Sequence, residues 1–265
     1  MLSAVFHFVL PEISTSSVLR DLLRSFSIER PVRVSRAQPW DLGMVLSFLR
    51  SSVFEPLDSV SLQEPTRNTL FLVALATAKR VGELQALSNV VTESGRDLVV
   101  SYLPYFVAKM ENRSNPLLRF FRIPSLKDFA LGLEEGALLC PVRALKIYRK
   151  RTEGFMRKGS ALFGSPRCPT KGISKNAISF FLREVISSAG AVRIGEGQPL
   201  RAHSVRGMAT SAAFLRNCSI SKLLEAVTWR SNSVFPSFYF RDIQFVFKGV
   251  RSLGPFVSAG FVVHP

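Results

Sequence analysis

The sequence predicts a mainly helical α+β fold with one small antiparallel sheet. Three observations lead there. Apolar residues recur at helical spacing in several stretches, among them Leu42, Val45, Leu46 and Leu49, and later Val205, Met208, Ala209 and Ala212. Two runs rich in β-branched and aromatic residues, 97–109 and 117–123, flank the turn-forming MENRSNP, the pattern of a hairpin. Hydrophobic residues make up 47% of 265 residues, enough for a buried core and too many for a disordered chain.

Lys and Arg number 35 against 19 acidic residues, a net charge of +16. That excess calls for a polyanionic partner, nucleic acid first and an anionic membrane surface second. Cys140, Cys168 and Cys218 are odd in number and have no C-x-x-C spacing, so neither a disulfide framework nor a zinc site is expected. Only His7, His203 and His264 are present, which speaks against a multi-histidine metal centre. The longest apolar run, 70–78, is far short of the roughly 20 residues that span a bilayer. Residues 1–10 are apolar but have no basic leader and no small-residue cleavage site. The expectation is a soluble, intracellular protein.

The elements follow in chain order. Residues 17–26 form one short helix capped by Ser16 or Ser17; with no core of its own, 1–29 reads as an arm or the remnant of a larger helical domain. Residues 30–39, RPVRVSRAQP, read as a basic linker whose Arg33 and Arg36 suit a phosphate backbone or simply face solvent. Asp41 caps the helix that follows Trp40, and 59–66 is a loop. The next helix, about 67–87, carries an apolar stripe of Leu70, Val73, Ala74, Thr77, Val81 and Leu84, interrupted by Arg80 and Glu83. An arginine beside a buried stripe needs an anion or water, and Glu83, three residues on, can orient its guanidinium. The hairpin comes next, with Lys109 ending its first strand. Pro141 opens a helix that ends in the basic Arg149, Lys150 and Arg151. Leu162 and Phe163 begin a short extended piece, SPRCPTKG is a loop, and 173–188 is an amphipathic helix capped near Ser174 and ending before Gly190.

The most informative stretch is 199–239. His203 and Arg206 stand three residues apart where a helical pattern begins, so both belong near one helix N-terminus, a place that attracts phosphate. Trp229 and then Tyr239 follow. This order, together with ATAKRVGEL at 76–84, resembles the tyrosine recombinase (phage integrase-like) family: an arginine box of the form A-x-G-x-R-x-x-E-L, then H-x-x-R, then a His or Trp, then a nucleophilic Tyr about ten residues on. Ala78 stands where the box commonly has Gly. The wording of 40–57 and the Cys140-Pro141 block look like recombinases of DIRS-type retrotransposons of animals.

The resemblance covers about 39–242 and implies a tyrosine recombinase catalytic domain over 40–245, followed by an apolar tail at 246–265 that docks on a neighbouring subunit or folds back in cis. It implies a catalytic set of Arg80, Lys109, His203, Arg206, Trp229 and Tyr239, with Glu83 in support; Lys127 and Arg113 compete with Lys109 for its place. It implies groove contacts from Lys175 and Arg183, double-stranded DNA as partner, homo-oligomers such as a synaptic tetramer, a nuclear location, and neither a metal nor a nucleotide cofactor. Pro236 precedes Tyr239 by three residues, where it removes a backbone donor. A chain with little N-terminal domain also grips DNA weakly. The rival expectation is therefore a decayed or domesticated DNA-binding fragment, and a third is a basic RNA-binding or scaffold protein.

Overall fold

The computed structural model describes residues 16–29, 40–108, 111, 119–126, 134–155, 160–191, 199–215 and 218–222. The chain divides into two compact units, Met1–Ser35 and Arg36–Pro265. In the first, α1 (Ser17–Glu29) leaves Val18, Leu22, Phe26 and Ile28 exposed.

The second unit is built around one helix. Its elements are α2 (Leu42–Leu49), α3 (Gln63–Thr77), α4 (Val81–Gln85), β1 (Leu87–Ser94), β2 (Asp97–Tyr102), β3 (Phe120–Ile123), α5 (Glu134–Leu138), α6 (Pro141–Thr152), β4 (Gly164–Ser165), β5 (Cys168–Gly172), α7 (Lys175–Ser188) and α8 (Ser204–Leu215). From Pro65 to Thr77 every residue of α3 is buried, so the expected one-sided stripe is instead a helix enclosed all round, packed by α6, α7 and α8. Its polar residues are accommodated one by one. Asn68 Nδ2 donates to the Leu49 carbonyl at 3.2 Å, and the Thr69 hydroxyl donates to the Ala144 carbonyl at 3.2 Å. The Arg67 guanidinium lies 3.5 Å from Glu184 and 5.8 Å from the centre of the Phe54 ring.

Three expectations are corrected. The helix foreseen over 67–87 is two helices and the start of a strand: Ala78 adopts φ 49°, ψ 30°, a left-handed cap that ends α3, and α4 begins after Arg80. The box's usual Gly suits that conformation, since a Cβ there costs about 1 kcal/mol. The loop foreseen at 59–66 already contains the first turn of α3, with Pro65 in it, where a missing N–H costs nothing. SPRCPTKG carries the β4–β5 pair, in which Ser165 faces Cys168 and Gly164 faces Gly172.

The foreseen hairpin is part of a three-stranded antiparallel sheet in the order β1-β2-β3. Strand β1 escaped notice because its run, LSNVVTES, alternates weakly. Strand β2 ends at Tyr102, earlier than expected, and pairs Leu98 with Ile123 and Val100 with Phe121. Leu98, Val100 and Tyr102 alternate inward to the core, as a period of two demands. Asp41 and Ser174 cap their helices as expected, accepting from Met44 N–H and Ala177 N–H at 3.1 Å each. Among the described residues, no helix is long and apolar enough to cross a membrane.

Candidate active site

Two segments far apart in sequence bring three charged groups together. Arg80 sits at the N-cap of α4, and its N–H donates to Glu83 Oε2 at 2.6 Å. Glu83 is three residues on, at the position from which a glutamate reaches back to its own helix start. The same carboxylate holds both guanidinium groups: Oε1 lies 3.5 Å from Arg80 Nη1, and Oε2 lies 3.6 Å from Arg206 Nη1. The Glu83 and Arg206 side chains are 3% and 2% exposed, whereas Arg80 is 26% exposed. Arg80 is thus the guanidinium a ligand meets first, and Arg206 lies beneath the surface.

The N-terminus of α8 fixes Arg206. Ser204, the first residue of α8, donates its hydroxyl to the Arg201 carbonyl at 2.7 Å and accepts the indole N–H of Trp40 at 3.0 Å. Trp40, 1% exposed and set edge-on to Phe71, therefore ties the start of the unit to the helix that carries Arg206. His203 immediately precedes that helix. Its imidazole is pushed down to about 4, first by withdrawal from water and then by Arg206, Arg80 and Arg201. The residue keeps an exposed side, so desolvation is partial and the cations add to it. At neutral pH the ring is uncharged.

Two further groups share this electrostatic neighbourhood, and the sequence reading missed both. Lys79, half-buried, holds its ammonium 5.0 Å from the centre of the Phe121 ring on β3. Burial pulls it below the ordinary lysine value; Glu83 opposes the shift, and Arg206 and Arg80 add to it. Tyr102, at the end of β2, is 5% exposed, stacks on Phe121 at 5.6 Å and is pushed up first by burial and then by Glu83. The only sequence signal for Lys79 was its place beside Arg80. For Tyr102 it was the inward phase of β2.

The balance of formal charge at the cluster is positive. One carboxylate faces two guanidinium groups and an ammonium; Glu83 and Arg206 are buried, and Arg80 and Lys79 are half-buried. Such a cluster receives an anion, and planar guanidinium groups match phosphate oxygens best.

No protein-family model matches the chain, and no curated protein sequence is similar to it. Solved structures are similar in fold. A lambda integrase tetramer bound to a Holliday junction is 17% identical, with a TM-score of 0.52 over 94% of this chain and 59% of that one. XerH site-specific recombinase bound to palindromic difH substrate, in a post-cleavage complex, is 13% identical, with a TM-score of 0.52 over 80% and 51%. A lambda integrase dimer bound to a COC' core site is 15% identical, with a TM-score of 0.50 over 92% and 64%. The chain has the catalytic-domain fold of the tyrosine recombinases. It spans between 51% and 64% of the length of those three chains.

On this tyrosine recombinase fold the other expected residues distribute as follows. Lys175, at the start of α7, lies across α4: a Cβ built on Gly82 would meet its Cε at 3.6 Å and its Nζ at 3.9 Å. Its ammonium therefore stands beside the arginine box. Arg183 is exposed two turns further along α7, about 12 Å by helix rise, with Nε donating to the Ser179 carbonyl at 3.1 Å. The basic end of α6 is partly committed, since Arg151 donates to the Leu57 carbonyl at 2.8 Å. Arg33, Arg36, Lys109, Arg113, Lys127, Trp229 and Tyr239 lie outside the described residues, as does the apolar tail.

Proposed function

We propose that this chain breaks and rejoins DNA strands through a 3′-phosphotyrosyl intermediate on Tyr239. One observation carries the reading: Arg80 and Arg206, far apart in the sequence, meet on the single buried carboxylate of Glu83, with an uncharged His203 beside them. The fold and the net charge of +16 support it.

The phenol of Tyr239 attacks the phosphorus, its proton passing to His203. Arg80 and Arg206 steady the non-bridging oxygens as charge builds in the pentacoordinate state; each such donor is worth roughly 100- to 1,000-fold in rate. Trp229 adds an indole donor or packs the site. A lysine protonates the leaving 5′ oxygen, a role the family resemblance gives to Lys109. Arg33, Arg36, Lys175 and Arg183 contact the DNA backbone. The proposal extends to a DIRS-type origin, a nuclear location and assembly through the apolar tail, on the strength of the sequence wording alone.

The burial of Arg206 favours a second reading, a chain that binds DNA without cutting it, because a phosphate reaches that guanidinium only after local rearrangement. One experiment separates the two. The chain is incubated with a pool of nicked duplexes of randomised sequence and resolved on a denaturing gel. A protein-linked DNA band that disappears in Tyr239→Phe supports cleavage. Salt-sensitive binding with no band supports the second reading, and the absence of salt-sensitive binding refutes both.

A further inference from the structure

The basic run Arg149, Lys150 and Arg151 at the end of α6 divides between two places. Arg151 is held by the Leu57 carbonyl, whereas Arg149 and Lys150 line a groove of about 580 Å³ between the last two turns of α6 and strand β1. Lys146 lines it too, and the spacing of the three, i, i+3 and i+4, puts them along one face of the helix. Glu153 is the single acid among the lining residues. Among the described residues, neither Arg149 nor Lys150 makes an ion pair. Lys146 pairs with Glu93 at 2.6 Å, but both side chains are open to solvent, and an exposed pair of this kind exchanges readily.

The facing wall is strand backbone. Residues 89–92 of β1 line the groove, and β1 is the outer strand of its sheet, with β2 on one side. Its other edge already receives extended chain. The Asn89 N–H donates to the Ser160 carbonyl at 2.9 Å, the Leu162 N–H donates to the Leu87 carbonyl at 2.6 Å, and Ser88 bridges Ala161 antiparallel. Among the described residues that pairing stops at Asn89, where the groove begins. The hairpin fixes the direction of the backbone beyond it. Only Gly95 and Arg96 separate the facing residues Ser94 and Asp97, so these two bond to each other, and by alternation Val91 turns its N–H and C=O away from β2. A strand edge that offers donors and acceptors in this way takes an added strand.

We propose that this groove seats an acidic segment of a partner protein, extended alongside β1 as a further strand, its carboxylates answering Lys146, Arg149 and Lys150. Backbone bonds to β1 supply the affinity, and the cations select for acidic sequence. Nucleic acid fits less well: a phosphodiester backbone offers acceptors only and leaves the β1 carbonyls unanswered, and the lining includes Val90 and Leu162 beside the cations. The groove shares no residue with the arginine cluster and does not rest on the DNA chemistry proposed above.

The probe is a fluorescein-labelled pool of short peptides in which aspartate or glutamate alternates with valine, isoleucine or tyrosine, titrated with the full chain by fluorescence anisotropy. The wild-type chain is expected to bind it, and the double variant Arg149→Gln, Lys150→Gln to bind about tenfold or more weakly. A control, Arg167→Gln with Lys171→Gln, removes the same charge from exposed positions on the β4–β5 pair and is expected to change the affinity by less than about threefold. A second pool with proline at the apolar positions keeps the charge and lacks those backbone donors; the wild-type chain is expected to bind it about tenfold or more weakly. Thermal melts confirm that both double variants fold. No binding of the first pool, equal weakening by the two double variants, or undiminished binding of the proline pool overturns the assignment. So does a labelled DNA duplex, titrated alongside, that loses about tenfold in affinity with Arg149→Gln, Lys150→Gln while peptide binding is unmoved, since the groove is then a nucleic-acid surface.

Discussion

Replacing Glu83 by Gln removes one negative charge and almost no volume, and it strikes the centre of the site. The carboxylate is 3% exposed and lies 3.6 Å from a guanidinium that is 2% exposed. At that distance and an effective dielectric of about 20, a pair of unit charges attracts by about 5 kcal/mol. Part of this is cancelled by desolvation, and breaking a buried pair costs about 3–5 kcal/mol. Glutamine still accepts the Arg80 N–H, so the lower end, about 3 kcal/mol, is expected. For a unit of this size that is a fall of about 6–12 °C in Tm. Urea titration followed by circular dichroism measures it. A cycle with Arg206→Met then isolates the pair, and the coupling should exceed about 1 kcal/mol because the two side chains touch. A loss below about 1 kcal/mol for Glu83→Gln, or a coupling near zero, would show that Glu83 does not hold Arg206, and the site as described would fail.

Two further outcomes follow from the same neighbourhood. His203 titrates near 4 in the folded chain and near its ordinary 6.5 when unfolded, so the unfolded state takes up a proton first as pH falls. Stability is therefore full above about 6.5 and declines as pH drops towards 4. His203→Gln should flatten that part of a Tm-against-pH curve, and an unchanged slope would mean the imidazole is not held neutral. Tyr102→Phe removes a buried hydroxyl with no partner among the described residues and keeps the ring, so urea titration should show unchanged stability or a gain of about 1 kcal/mol. A loss of more than about 1 kcal/mol would reveal a hydrogen bond worth keeping.

Much of this site was legible in order along the chain. The box around Arg80 and Glu83 carries its own local logic, because a glutamate three residues after the N-cap of a short helix reaches back to that cap. His203 and Arg206 were legible for a similar reason: the apolar phase of 205–212 marks where α8 begins, and the two precede and enter its first turn. The setting of Lys79 was not legible, since its ammonium lies over a ring from β3 that is some forty residues away. Nor was the break at Ala78, where an alanine in place of glycine gives no sign of a left-handed turn.

By itself the sequence determined the starts of α1, α2, α6, α7 and α8 and the run that forms β2, which follow from residues near one another in the chain, and the excess of positive charge, which follows from composition. Only the tertiary structure decided that one carboxylate serves two arginines, that α3 is buried on every side, and that Lys79 rests on an aromatic wall. Those are facts of packing between distant segments. Periodicity says which face of a helix is apolar, and it is silent on which other face will meet it.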